Sequence, residues 1–186
     1  MSDRKKVLVT GSTGYIASLV LPALRDRYDL QLIDIRKTNR DNDEVPGVEI
    51  VDLLTADRSE LERRFSEAET VVHFGYIHPR PDAVYEDERK NVDMMQRVYD
   101  LATSCGVKRV VAASTNQATK WYEHPWHDGL IDRVSPEDFP RPESFYGWAK
   151  AAYESMGFVY ACGSLGRKLE IVQVRIVAPR EIDASN

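Results

Sequence analysis

Thr10-Gly11-Ser12-Thr13-Gly14-Tyr15-Ile16-Ala17 joins a short β-branched run, Val7-Leu8-Val9, to a stretch with apolar groups at helical spacing, Ile16, Leu19, Val20 and Leu24. A strand, a glycine turn and a helix in that order suit a pyrophosphate. The glycines let the chain turn tightly and bring backbone N–H groups close to phosphate oxygens, and the helix N-terminus adds partial positive charge. Gly11, Gly14, Tyr15 and Ile16 are the expected phosphate side of a dinucleotide site, with Ala17 at the third small position where helix and strand pack closely. Glycine before a helix is common, so the context decides. Residues 30–35 read as a second strand that carries Asp34 near its end, where a carboxylate can accept both ribose hydroxyls of NAD. A 2′-phosphate would meet a like charge there, so NAD is expected over NADP, with Arg36 placed to soften the preference.

The alternation continues outward from this unit. Residues 48–51 read as a third strand, 59–67 as a short helix and 70–74 as a fourth strand. The longest helical pattern covers 82–104 and is closed by Gly106 as a C-terminal stop; 107–113 is a fifth strand, 145–165 a helix and 169–177 a sixth strand. Near-continuous apolar strands separated by helices predict an α/β fold, a Rossmann-type doubly wound parallel sheet with helices on both faces. The stretch 116–144 reads as irregular. Its Trp121, Tyr122, Trp126 and Phe139 argue against disorder, so it is expected to form a pocket rim.

With 186 residues, 42% of them hydrophobic and 30% charged, the chain suits one domain over 1–186 with a sizeable core. The net charge of −5 comes from interspersed acids and bases without a basic block, so neither nucleic acid nor an anionic membrane is an expected partner. No run is apolar enough to span a bilayer or to act as a signal peptide, and Cys105 and Cys162 lie in helical patterns rather than a disulfide framework. A cytoplasmic protein is expected. His124-Pro125-Trp126-His127-Asp128 has ligand types for a metal but no second cluster to complete a site, so no metal is expected.

Tyr146-Gly147-Trp148-Ala149-Lys150 opens the helix that follows the rim. Residues four apart share a helix face, so Tyr146 and Lys150 can act together. An ammonium beside a phenol stabilises phenolate, which suits the pair to proton transfer near neutral pH. The fifth strand ends in Ser114-Thr115, two hydroxyls able to hydrogen-bond a substrate oxygen at the sheet edge where ligands of open parallel sheets bind.

The glycine turn, Asp34, Asp52-Leu53, His73-Phe74-Gly75, Asn91, Ser114-Thr115 and Tyr146-x-x-x-Lys150 together resemble the extended short-chain dehydrogenase/reductases, the family of sugar-nucleotide epimerases and dehydratases, over nearly the whole chain. Ala113-Ser114-Thr115-Asn116-Gln117 and the segment leading to Asn91 are most similar to uronate dehydrogenases and related NAD-dependent sugar dehydrogenases. That resemblance implies oxidation of the anomeric carbon of a free sugar or uronic acid to a lactone. It implies Tyr146 as general base, Lys150 as its partner and a hold on the nicotinamide ribose, and Thr115 in place of the family's catalytic serine. Tyr146 and Lys150 count on the cofactor side as well. Asp52 and Leu53 would flank the adenine, Phe74 and Gly75 the cofactor beyond the fourth strand, and Asn91 would brace the site. His78, Ser114, Asn116 and Gln117 would line the sugar pocket with Thr115. The chain departs from that pattern at Thr115, at Gln117, where close relatives usually carry histidine, and in the long 116–144 segment. It also stops at Asn186, before a C-terminal substrate lobe, which is therefore expected to be truncated or absent.

Two other functions fit the same residues: a nucleotide-sugar epimerase or dehydratase that retains its NAD, and a non-catalytic NAD sensor or scaffold. Met94, Met95, Val98, Tyr99 and Ala102 form an apolar stripe on the long helix, whose default reading is core packing. Because that helix and the one bearing Tyr146 often pair between subunits in the family, and Ala151, Ala152, Met156, Val159 and Tyr160 offer a matching surface, a homodimer is expected.

Overall fold

The structure is a computed structural model that describes residues 4–177. Six strands, β1 (Lys6–Thr10), β2 (Asp29–Asp34), β3 (Val48–Ile50), β4 (Thr70–His73), β5 (Arg109–Thr115) and β6 (Glu170–Ile176), form one sheet in the order β3-β2-β1-β4-β5-β6. Every pairing is parallel. The order reverses at β1, which places the switch-point crevice beyond the carboxyl ends of β1 and β4, where Thr10 pairs with His73.

Helices α1 (Tyr15–Arg27), α2 (Arg58–Glu67), α3 (Val84–Ser104), α4 (Glu123–His127) and α5 (Phe145–Ala161) accompany the strands. Right-handed crossovers put α2, α3 and α5 on one face. There Leu8, Ile33, Val71 and Val110 pack against Leu61, Phe65, Met95, Val98, Tyr99 and Tyr153 in the larger core. On the other face α1 contributes Ala17 and Leu21 to a smaller cluster with Val7, Val9, Leu32 and Val72. Both faces carry helices, as the alternating pattern predicts. At the sheet edge, Val172 and Val174 of β6 remain 45% and 43% exposed.

Gly106, at φ +84°, ends the α3 segment in the left-handed region, and the Val107 N–H donates to Ala102. One expectation changes. The first half of the 116–144 segment is not irregular: Asn116–Tyr122 forms 3₁₀ turns that lead into α4. Short 3₁₀ turns with a break at Thr119 leave no long apolar period for a sequence pattern to show. The Met94, Met95, Val98, Tyr99 and Ala102 stripe lies inside the core, as its default reading expects, with α5 packed directly on it. That stripe therefore offers no surface to a second copy.

Candidate active site

The glycine turn is built around a contact between two loops. Gly11 has φ +70°, and a Cβ there would stand 2.4 Å from the Gly75 nitrogen and 2.6 Å from the Phe74 carbonyl carbon. Gly11 and Gly75, 64 places apart by their numbers, thus meet backbone to backbone at the crevice. Gly14 caps α1 without any side-chain hydrogen bond, which keeps side chains out of the mouth of the helix dipole. Asp34 ends β2 beside this turn. Its Oδ2 accepts from the Thr13 N–H (2.9 Å) and hydroxyl (2.8 Å), and its Oδ1 from the Ile35 N–H (2.7 Å). Arg36 turns back toward the same place, with Nε 3.4 Å from the Thr13 hydroxyl. Tyr15 and Ile16 form the first turn of α1. Thr13, which joins turn to carboxylate, is a residue that the sequence did not single out.

Asp52 and Leu53 follow β3. The Asp52 carboxylate accepts from the Leu54 N–H and the Thr55 hydroxyl, and Leu53 is 5% exposed within the larger core. Phe74 packs on the α1 side of the sheet.

The expected reacting groups lie on β5 and α5. Ser144 caps α5 by accepting from the Gly147 N–H at 3.1 Å. A Cβ on Gly147 would lie 2.4 Å from the Gln117 carbonyl oxygen, so the helix can sit directly on the 3₁₀ turn only because that residue has no side chain. This seats the first turn of α5, which carries Tyr146, on the 3₁₀ turn at Gln117. Lys150, one turn on and 5% exposed, donates to the Ala113 carbonyl at 2.9 Å. Thr115 accepts from the Gln117 N–H at 3.2 Å and is 3.4 Å from Asn116 Oδ1, a long contact that leaves its proton easily redirected. Ser114 instead donates to Glu154 at 2.6 Å, and Glu154 is clamped by Arg175 at 2.9 and 2.6 Å. Thr115 is the better placed hydroxyl of the two.

Tyr76 and Glu88 adjoin these residues. The Tyr76 ring lies edge-on to Tyr146 (5.4 Å between centroids) and to exposed His78 (5.1 Å), and its hydroxyl donates to Glu88 at 2.5 Å. Asn91 donates to Glu88 and brackets Ile77 by its N–H and carbonyl at 2.7 and 2.9 Å, so it braces the loop after β4. The rim folds back on itself: the Arg141 guanidinium stacks on Trp121 and Tyr122, and His124 pairs with Glu143.

Burial sets the charges. Loss of water lowers the Lys150 ammonium to about 8, against which the Glu88 carboxylate pulls upward. Burial and the Glu88 bond together push the Tyr76 phenol up, so it stays a donor. His73, buried at the end of β4 with Nδ1 2.6 Å from the Thr10 hydroxyl, is lowered from 6.5 to about 3 by burial first and the Lys150 charge second. Between those values the unfolded chain takes up a proton that the folded chain refuses. Stability is therefore present above pH 6.5 and declines as pH falls toward about 3. The expected slope from this residue approaches ~1.4 kcal/mol per pH unit. Urea unfolding from about pH 7 to about pH 5, above the range where most carboxylates titrate, should show the decline. His73→Asn should flatten it; an equal slope in the variant would assign it elsewhere.

The profile of the NAD dependent epimerase/dehydratase family matches residues 7–175. The chain belongs to that family. Its cofactor, as the family's description states, is NAD. Among curated relatives, the NAD-dependent glucose-6-phosphate dehydrogenase of Haloferax volcanii is 30% identical over 166 residues, covering 83% of this chain and 62% of the relative. The uronate dehydrogenase of Pseudomonas syringae pv. tomato is 30% identical over 157 residues, covering 83% and 54%. Among solved structures, a mutated uronate dehydrogenase superposes with TM-score 0.72 at 26% identity, over 93% of this chain and 58% of that one. MoeE5 in complex with UDP-glucose and NAD gives 0.70 at 28% identity, over 91% and 53%. This epimerase/dehydratase chain thus spans between about half and three-fifths of the length of these relatives.

Proposed function

We propose that the chain is the NAD-binding and catalytic part of a dehydrogenase that oxidises the anomeric carbon of a free sugar or uronic acid to a lactone. The observation that carries this reading is the buried Lys150 ammonium, one turn along α5 from Tyr146, donating to the Ala113 carbonyl of β5, the strand that ends in Thr115 next to the switch-point crevice. Relatives named as sugar dehydrogenases, among them an L-arabinose 1-dehydrogenase (NAD(P)(+)) of Haloferax volcanii, support the substrate class.

The donor set fits NAD. The glycine turn at Gly11 and Gly14 opens on a helix end without a side-chain cap, and the Asp34 carboxylate is fixed beside it as an acceptor for ribose hydroxyls. Phe74 and Gly75 would face the cofactor beyond β4, and Lys150 would hold the nicotinamide ribose. Bound NAD supplies the hydride acceptor. The Lys150 ammonium stabilises Tyr146 as its phenolate, which takes the proton of the anomeric hydroxyl and becomes the neutral phenol, and Thr115 donates a hydrogen bond to the reacting oxygen. His78, Asn116 and Gln117 would line the sugar side.

Asp34→Asn tests the cofactor side: it keeps an acceptor for Thr13 but removes the charge. It should narrow the preference for NAD over NADP by about tenfold, read by titrating both cofactors. An unchanged ratio would remove Asp34 from the choice of cofactor.

The defining experiment follows NADH absorbance with hexuronates, aldoses and sugar phosphates. Turnover with one class supports the proposal. The nucleotide-sugar complex of MoeE5 favours a second reading, an epimerase or dehydratase that retains its NAD. NAD carried through purification, with no NADH formed from any free sugar, would select it. Reversible NAD binding with no reaction on either sugar class would leave a sensor.

A further inference from the structure

Four contacts converge on Tyr76, a residue outside the Tyr-x-x-x-Lys pair. Its ring meets Tyr146 at 5.4 Å and 75° and His78 at 5.1 Å and 88°, and the Lys150 ammonium lies 5.2 Å from its centre. Its hydroxyl ends on Glu88, a carboxylate with no exposed surface. The next residue, Ile77, is held at both its N–H and its carbonyl by Asn91, which also donates to Glu88 at 3.2 Å. Tyr76 is thus pinned at its tip by Glu88 and through its neighbour by Asn91.

A fully buried carboxylate is costly unless hydrogen bonds and a counter-charge offset its desolvation. Glu88 has two donors, and the buried Lys150 ammonium, 5.2 Å from the centre of the Tyr76 ring, feels its field. The arrangement is asymmetric in a useful way. The Tyr76 hydroxyl ends on a fully buried carboxylate, while its ring meets the Tyr146 phenol and the exposed imidazole of His78 at steep angles, where substrate would enter.

We propose that Tyr76, anchored by Glu88, is a positioning residue that fixes the Tyr146 phenol relative to Lys150 and forms the wall against which the sugar ring is placed. The kinetic consequence rests on the dehydrogenase reading; the orienting consequence does not.

Three variants separate the parts. Tyr76→Phe keeps the ring and removes the anchor, Tyr76→Leu removes the ring, and Glu88→Gln removes the charge at nearly constant shape. The first readout is the ¹³Cζ signal of Tyr146 in tyrosine-labelled protein, assigned by its loss in Tyr146→Phe. The signal should move in all three variants, most in Tyr76→Leu. The second is steady-state kinetics with the preferred sugar. Tyr76→Leu should lose kcat on the order of a hundredfold and raise the sugar KM, because small misplacements of a reacting group carry such penalties. Tyr76→Phe and Glu88→Gln should lose about tenfold, with NAD affinity within about twofold of the parent.

An unmoved Tyr146 signal would overturn the proposal, as would losses confined to melting temperature and NAD affinity at unchanged kcat and sugar KM. If Tyr76→Leu does not fold, the other two variants decide on the same criteria. A parent protein that turns over no sugar would overturn the dehydrogenase reading alone, and the Tyr146 signal would still judge the orienting role.

Discussion

Tyr146→Phe is expected to lower kcat for sugar oxidation by about 10²- to 10⁴-fold, the usual worth of a positioned general base. NAD affinity should change little, because the variant keeps the ring that packs on Tyr76 and removes only the hydroxyl. Among the described residues no hydrogen bond of the fold uses that hydroxyl, so stability should hold as well. Lys150 gives the complementary result. Its buried ammonium donates to the Ala113 carbonyl, so Lys150→Met should damage both turnover and packing, and Lys150→Arg should not rescue either. The measurement is kcat by NADH absorbance together with NAD titration of the same samples. A Tyr146→Phe variant within a few-fold of the parent would remove Tyr146 as proton acceptor and with it the proposed mechanism.

Much of this geometry is legible in the chain because it is local. The β1 run, the glycine turn and the α1 spacing lie within residues 6–27, and Asp34 closes the next strand. Alternating elements and right-handed crossovers then imply a parallel sheet with helices on both faces. What stays hidden depends on contacts between distant segments. Thr13 gains its role only when β2 brings Asp34 alongside, and Gly147 only when α5 lands on the Gln117 carbonyl. Glu88 is the instructive case. It stands in Glu86-Asp87-Glu88-Arg89-Lys90, five charged residues in a row, yet it is fully buried. The signal was present: Glu88, Asn91, Met95, Val98 and Ala102 follow the three-four spacing of one helix face, and all five are buried. Asp87 beside it is buried too, but it pairs with Arg80 and Lys90 and is held well below the usual carboxylate range by those bonds. Two adjacent acids in one run therefore serve different ends, one an ion-paired support of the loop before α3 and one an anchor inside the site.

Gly11→Ala should be the most damaging small substitution in the crevice. Its φ of +70° costs an L-residue roughly 1–2 kcal/mol by itself. The added methyl must also displace backbone atoms of Gly75 and Phe74 that lie within 2.6 Å, and no rotamer change can relieve that overlap. Phe74 is bonded to β1 through its N–H to the Thr10 carbonyl at 2.9 Å, so a shift there opens the β1–β4 seam on which the switch point depends. The expected loss exceeds about 3 kcal/mol, a large share of the 5–15 kcal/mol typical of a domain, and NAD binding should fail with it. Two controls apportion the effect. Gly47→Ala, at φ +81° with nothing within 4 Å, isolates the backbone strain. Gly14→Ala, with ordinary φ and its closest contact 3.2 Å from the Gly11 oxygen, isolates mild crowding in the same turn. Urea unfolding should therefore rank Gly11→Ala well below both. If Gly11→Ala proves no worse than Gly47→Ala, the Gly11–Gly75 approach is not what holds the turn in place. In that case the phosphate side of the site rests on the Thr13–Asp34 bonds instead, and Thr13→Val would become the variant that abolishes NAD binding.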